Sequence, residues 1–182
     1  MTRNVVAAGF GGQGVMLLGQ ILALAATQKQ LNATWLPSYG PEQRGGTANC
    51  TVVVSDEEIG SPVVDKPMYV VIMNNPSMEK FEKMVEPNGT VILNSTLITL
   101  EPKRNDVNYL KVPANELAEQ AGSQRSANMV MLGVIGWLWK DIFTLEELEQ
   151  AVVEKVGDKR PQLVETNKKA IELGYEFAKN LI

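Results

Sequence analysis

The chain opens on a short apolar run, Asn4-Val5-Val6-Ala7-Ala8. A glycine cluster follows, then a much longer apolar run over residues 15–26. The first run is short and partly β-branched, which predicts a buried strand. The second is rich in helix formers and too long for a typical strand, so it predicts a helix from 13 to about 30. Its apolar positions go nearly all the way round, the pattern of a helix that is buried rather than lying on the surface. After a polar turn, Ala33-Thr34-Trp35-Leu36 predicts a second strand and Thr47–Ser55 a third. Residues 69–73 and 90–94 are compact apolar runs that predict buried strands, and 106–112 predicts one more. Between them, Asn74-Asn75-Pro76-Ser77 predicts a helix start, with Asn75 as cap and Pro76 in the first helical position, continuing to about Val85.

The last third changes period. Residues 113–118 begin a short helix, which 122–126 break. Residues 127–140 form a second strongly apolar helix, in which Gly133 and Gly136 would admit another backbone or sheet at close range. Asn128 is the polar residue near its start, either bonded to a loop or capping the helix. Thr144 with Glu147 three residues on is a capping box, opening an amphipathic helix to Val156; Pro161 opens the last helix. Strands alternating with helices predict an α/β fold, a mostly parallel sheet flanked by helices, with a helical C-terminal third. The length of 182 residues suits one domain over 1–182.

Composition narrows the chemistry. The formal net charge is −4 and no basic stripe occurs, which argues against a nucleic-acid partner. No apolar run reaches the ~18 residues of a membrane span. A strand begins almost at once, with no charged segment and cleavage site, so a cytoplasmic location is expected. There is one cysteine, Cys50, and no histidine. That excludes an internal disulfide, a four-thiolate cluster made by this chain alone, a His/Cys zinc site and any histidine general base. No catalytic or metal-ligating residue is expected in this chain. Cys50 lies in a strand-like run and is expected to be a buried, inert thiol.

Gly9-Phe10-Gly11-Gly12-Gln13-Gly14 stands between the first strand and the first helix, the context in which G-x-G-x-x-G carries meaning. Glycines tolerate positive φ and let another group approach the backbone, and the helix start offers N–H groups to an anion. Gly9, Gly11, Gly12, Gln13 and Gly14 are therefore the candidate cofactor-binding residues. The same glycines could instead serve close helix–strand packing. A dinucleotide site would also place an acid at the end of the second strand, about 20 residues on. None stands there, since Glu42 comes later and inside a loop.

That loop, Pro37 to Gly46, is the most unusual segment. Pro37 and Pro41 restrict it, and it carries an aromatic and a charged pair. It leaves a strand end beside the glycine turn, where open α/β sheets receive ligands and partners. Tyr39, Gly40, Pro41, Glu42, Gln43, Arg44, Gly45 and Gly46, with Asn128, are the candidate interface or active-site residues. Arg44 could pair with a phosphate or carboxylate.

The glycine turn, the Tyr39-Gly40-Pro41-Glu42-Gln43-Arg44-Gly45-Gly46 loop and the 128–136 stretch, in that order, resemble the gamma subunit of the 2-oxoacid:ferredoxin oxidoreductases. The resemblance covers essentially the whole chain. It implies a Rossmann-like domain and a multi-subunit enzyme. That enzyme decarboxylates a 2-oxoacid on thiamine diphosphate, passes electrons through iron–sulfur clusters to ferredoxin and releases an acyl-coenzyme A. The resemblance assigns those cofactors to companion alpha, beta and delta subunits or domains. It leaves this chain to assembly and the shared active site, inactive when isolated. Three rival readings stand beside it: a free-standing nucleotide- or flavin-binding domain, the companion chain of an indolepyruvate:ferredoxin oxidoreductase, and a homodimer with the 127–139 helix buried between copies.

Overall fold

Strand β1 (Thr2–Phe10) lies inside a six-stranded sheet because Val5, Val6, Ala7 and Ala8 are apolar on both sides and all are buried. The remaining strands are β2 (Asn32–Tyr39), β3 (Thr47–Ser55), β4 (Tyr69–Ile72), β5 (Thr90–Asn94) and β6 (Asn108–Val112), in the spatial order β2-β3-β1-β4-β5-β6. β1, β4, β5 and β6 pair in parallel, while β3 is antiparallel to both β1 and β2. Five strands thus share one direction and β3 alone opposes them, so the sheet is mostly parallel as the pattern predicts. These elements belong to a computed structural model that describes residues 1–40 and 46–182. The chain divides into two compact units, Met1–Val112 and Pro113–Ile182.

In the first unit, helices α1 (Val15–Gln28) and α2 (Asn75–Phe81) cover opposite faces of the sheet. Val6, Ala8, Val70, Ile72, Val91 and Leu93 point to the α2 side, against Met78 and Phe81. The alternate residues Val5 and Ala7 stand opposite Val52 and Cys50 on the α1 side. There α1 lies very close to the strands: a Cβ on Gly19 would fall 2.5 Å from Cys50 Sγ and 3.0 Å from the Trp35 ring. The inner face of α1 is buried, yet Met16, Leu17, Ala23 and Leu24 on its outer stripe are only half-buried. The sequence therefore overstates the burial of this helix. Its all-round apolarity calls for cover on two sides, and the sheet supplies one.

Two boundaries differ from the sequence reading. Residues 37–39 extend β2 instead of opening a loop, with Pro37 opposite Cys50. β2 is an edge strand, where a proline forfeits no ladder bond. The cap of α2 is Asn74, not Asn75: its Oδ1 accepts the Ser77 N–H at 2.9 Å, and Pro76 becomes the second helical residue. Asn75 turns outward to a neighbouring loop, where Oδ1 accepts the Thr99 N–H at 3.0 Å and Nδ2 donates to Thr99 Oγ1 at 3.0 Å.

The second unit is helical: α3 (Ala114–Ala121), α4 (Ala127–Leu138), α5 (Leu145–Val156) and α6 (Val164–Leu181). The capping box of α5 is present, with the Glu147 N–H donating to Thr144 Oγ1 at 3.2 Å and the Thr144 N–H to Glu147 Oε2 at 2.8 Å. Pro161 opens a short 3-10 turn that leads into α6. Residues 127–136 of α4 are buried, and its glycines abut α6 and α5 of the same chain. Burial of this helix is thus explained within one chain and needs no second copy. Among the described residues no helix is long and apolar enough to cross a membrane.

Candidate functional site

The glycine turn sits at the carboxyl edge of the sheet, and its glycines do different things. Gly9 is a packing residue: a Cβ there would lie 2.6 Å from Gln13 Oε1 and 2.9 Å from the Met73 Cβ. Gly12 and Gly14 are required by conformation, with φ of 94° and 76°. Gly14 is the N-cap of α1 and brings no side-chain acceptor to the first helical N–H groups. The Gly11 N–H donates to the Gly46 carbonyl at 2.9 Å, and the Gly40 N–H to the Thr47 carbonyl at 2.7 Å.

Gln13 holds the turn together. Its Oε1 accepts the Phe10 N–H at 2.7 Å and its Nε2 donates to the Met73 carbonyl at 3.1 Å. One side chain thereby ties the end of β1 to the end of β4. The other side of the turn opens into a cleft of about 340 Å³ lined by Phe10, Gly11, Gly12, Gly14, Met16, Leu17, Gln20 and Tyr39, with Val15 and Ala48 at its floor. Tyr39 is 71 % exposed and Phe10 38 %. Among the described residues the lining carries no charge, so an anion placed there would rest on backbone N–H groups and the helix dipole.

The structure thus brings Gly9, Gly11, Gly12, Gln13 and Gly14 together with Tyr39, Gly40 and Gly46. Pro41, Glu42, Gln43, Arg44 and Gly45 lie outside the described residues. Asn128 stands in the second unit, as the second residue of α4, where its Oδ1 accepts the Met129 N–H at 3.0 Å; the cap of α4 is Ser126. Sequence reasoning missed Phe10, Met16, Leu17 and Gln20 as cleft residues. Helical spacing from Gly14 puts Met16, Leu17 and Gln20 on one outward stripe, and that periodicity was the available signal.

Cys50 is buried beside this region. Its Sγ donates to the Val15 carbonyl at 3.3 Å, and burial pushes the thiol up to about 11 against the lowering effect of the Trp35 indole. It is a neutral packing group, as expected. The missing dinucleotide acid also has a structural counterpart. In a doubly wound nucleotide-binding sheet the acid sits on the strand beside β1, whereas here antiparallel β3 lies between β1 and β2. The sheet offers that acid no position.

The glycine turn, this strand order and the helical second unit coincide with a known family: residues 4–177 match the model of the pyruvate ferredoxin/flavodoxin oxidoreductases. The chain belongs to that family. Within the pyruvate ferredoxin/flavodoxin oxidoreductase family it is 40% identical over 179 residues to the ketoisovalerate oxidoreductase subunit VorA of Methanothermobacter thermautotrophicus, covering 98% of this chain and 37% of that protein. It is 35% identical over 184 residues to the 2-oxoglutarate synthase subunit KorC of Methanocaldococcus jannaschii, covering 100% of this chain and 96% of that one. The solved gamma subunit of a keto/oxoacid ferredoxin oxidoreductase from Geobacter sulfurreducens superposes with a TM-score of 0.83 at 27% identity, over 98% of this chain and 99% of that subunit. The chain therefore spans little more than a third of the ketoisovalerate relative, and nearly the whole of the other two.

Proposed function

We propose that the chain is the gamma-type subunit of a multi-subunit 2-oxoacid:ferredoxin oxidoreductase. The complex would oxidatively decarboxylate a 2-oxoacid, release acyl-coenzyme A and CO2, and reduce ferredoxin. The observation that carries this reading is the end-to-end likeness to the Geobacter gamma subunit. Thiamine diphosphate and the iron–sulfur clusters would be held by alpha, beta and delta partners, and ferredoxin would be reached through the complex in the cytoplasm.

This chain's part is assembly and the completion of a shared site. Gly9, Gly11, Gly12, Gln13 and Gly14 would supply a ligand-binding turn, and Tyr39 to Gly46 would lie near the joint active site or the coenzyme A path. Asn128, in the second unit, would be an interface residue in its own right. The half-exposed stripe of Met16, Leu17, Ala23 and Leu24 supports the assembly role, since an apolar helix face beside a cleft suits a subunit contact. The cleft lining, which carries no charge among the described residues, supports a ligand held by backbone N–H groups.

Affinity isolation of the tagged chain from its own cell extract tests the proposal. The expected product is a brown complex containing thiamine diphosphate that reduces an artificial acceptor only when a 2-oxoacid and coenzyme A are both present. The best substrate names the subgroup, indolepyruvate included. A colourless chain isolated alone, with no such activity in the fraction, would overturn it.

A further inference from the structure

The carboxyl edge of the sheet carries a continuous run of side-chain bonds. Asn74 Nδ2 donates to Gln13 Oε1 at 3.4 Å, beside the Phe10 N–H that donates to the same oxygen. Asn74 Oδ1 caps α2, and the adjacent Asn75 holds Thr99. Both lone pairs of the Gln13 oxygen are therefore taken, and one of its two Nε2 hydrogens is on Met73. An amide so occupied has little left for a ligand. It also fills the space between the ends of β1 and β4, the crevice in which doubly wound sheets receive a dinucleotide. On the other side, where Phe10 and Tyr39 stand, a Cβ on Gly12 would meet nothing within 4 Å among the described residues.

We propose that Gln13 is a positioning residue: it closes the β1–β4 crevice and fixes the glycine turn, so that the ligand enters from the Tyr39 side and meets the turn rather than the Gln13 side chain. The ligand half of this proposal rests on the proposed function, with coenzyme A as the molecule that meets the turn. The clamp itself is a property of the chain.

Two measurements test it. In the full-length chain, hydrogen exchange is followed at the Phe10 amide for the native protein, Gln13→Met and Gln13→Glu. The methionine keeps the volume and removes all three bonds, to Phe10, Asn74 and Met73. The glutamate keeps the acceptor for Phe10 but sets a second oxygen against the Met73 carbonyl. Exchange at Phe10 at least tenfold faster in Gln13→Met is the expected result, and equal rates in all three proteins would overturn the clamp. In the assembled complex, the KM for coenzyme A should rise at least fivefold in both variants, by more than kcat falls. An unchanged KM despite faster exchange would overturn the positioning role. A native complex whose turnover ignores coenzyme A would sink the ligand half together with the function it rests on, while the exchange result would still decide the clamp.

Discussion

Gly133 and Gly174 each press a helix backbone against the helix that carries the other. A Cβ on Gly133 would lie 2.0 Å from the Ile171 carbonyl oxygen, and one on Gly174 would lie 1.9 Å from the Val130 carbonyl oxygen. The obstacle is main chain on both sides, so no rotamer change relieves it. Gly133→Ala or Gly174→Ala must push α4 and α6 apart and should cost about 3 kcal/mol. Urea unfolding of each variant checks this. It also means that Gly133 cannot report on self-association, because any larger residue there disrupts the chain's own helix pair first.

Cys50 makes stability fall with alkaline pH. Its folded-state value is raised to about 11 from about 9 in the unfolded chain, so the folded protein holds its proton longer. The contribution is complete below pH 9 and is lost as pH climbs through 11, by about 3 kcal/mol in all. Cys50→Ala lowers stability at neutral pH by leaving a small gap, but its unfolding free energy should fall less steeply between pH 9 and 11 than that of the native protein. Parallel slopes would contradict the assignment.

Glu82 is a buried carboxylate kept in place by its neighbours. Its Oε1 accepts the Tyr109 hydroxyl and, at 2.7 Å, the Lys103 N–H. Burial first, and this hydrogen bond second, push the Tyr109 phenol up to about 12. Arg104 closes the group, donating to the Glu82 and Val85 carbonyls at 3.0 and 2.5 Å and to both oxygens of Asp106. Tyr109→Phe leaves a buried carboxylate short of a donor and should cost about 1–3 kcal/mol, read by denaturant unfolding.

Tyr39 is mostly exposed and lines the cleft at the glycine turn. Tyr39→Ala should therefore shift the unfolding free energy by less than about 0.5 kcal/mol. In the assembled complex it should raise the KM for coenzyme A severalfold. Steady-state kinetics with coenzyme A varied and the 2-oxoacid saturating would show it, and an unchanged KM would place the coenzyme elsewhere.

Much of this was legible in local pattern. Thr47–Ser55 and Thr90–Asn94 are strands end to end, and the Thr144 capping box is formed, because each depends on its own residues. The direction of β3 was not legible, since a β-branched run reads alike whichever way its neighbours point. Pro37 misled by composition: it breaks a central strand but is harmless on an edge, and edge status is a tertiary fact. Of two adjacent asparagines, the choice of Asn74 as cap follows from Asn75 being engaged by Thr99, a residue 24 positions away. Gln13 could be singled out within the glycine turn, but its partner Met73 is 60 residues on, so its work became visible only once β1 and β4 were side by side.

The central claim is that this chain completes a coenzyme A-dependent 2-oxoacid oxidoreductase. The direct test is reconstitution of the complex with and without it, measuring 2-oxoacid- and coenzyme A-dependent reduction of ferredoxin. Activity that is absent without the chain and restored by adding it is the predicted result. Full activity from the remaining subunits alone would contradict the account.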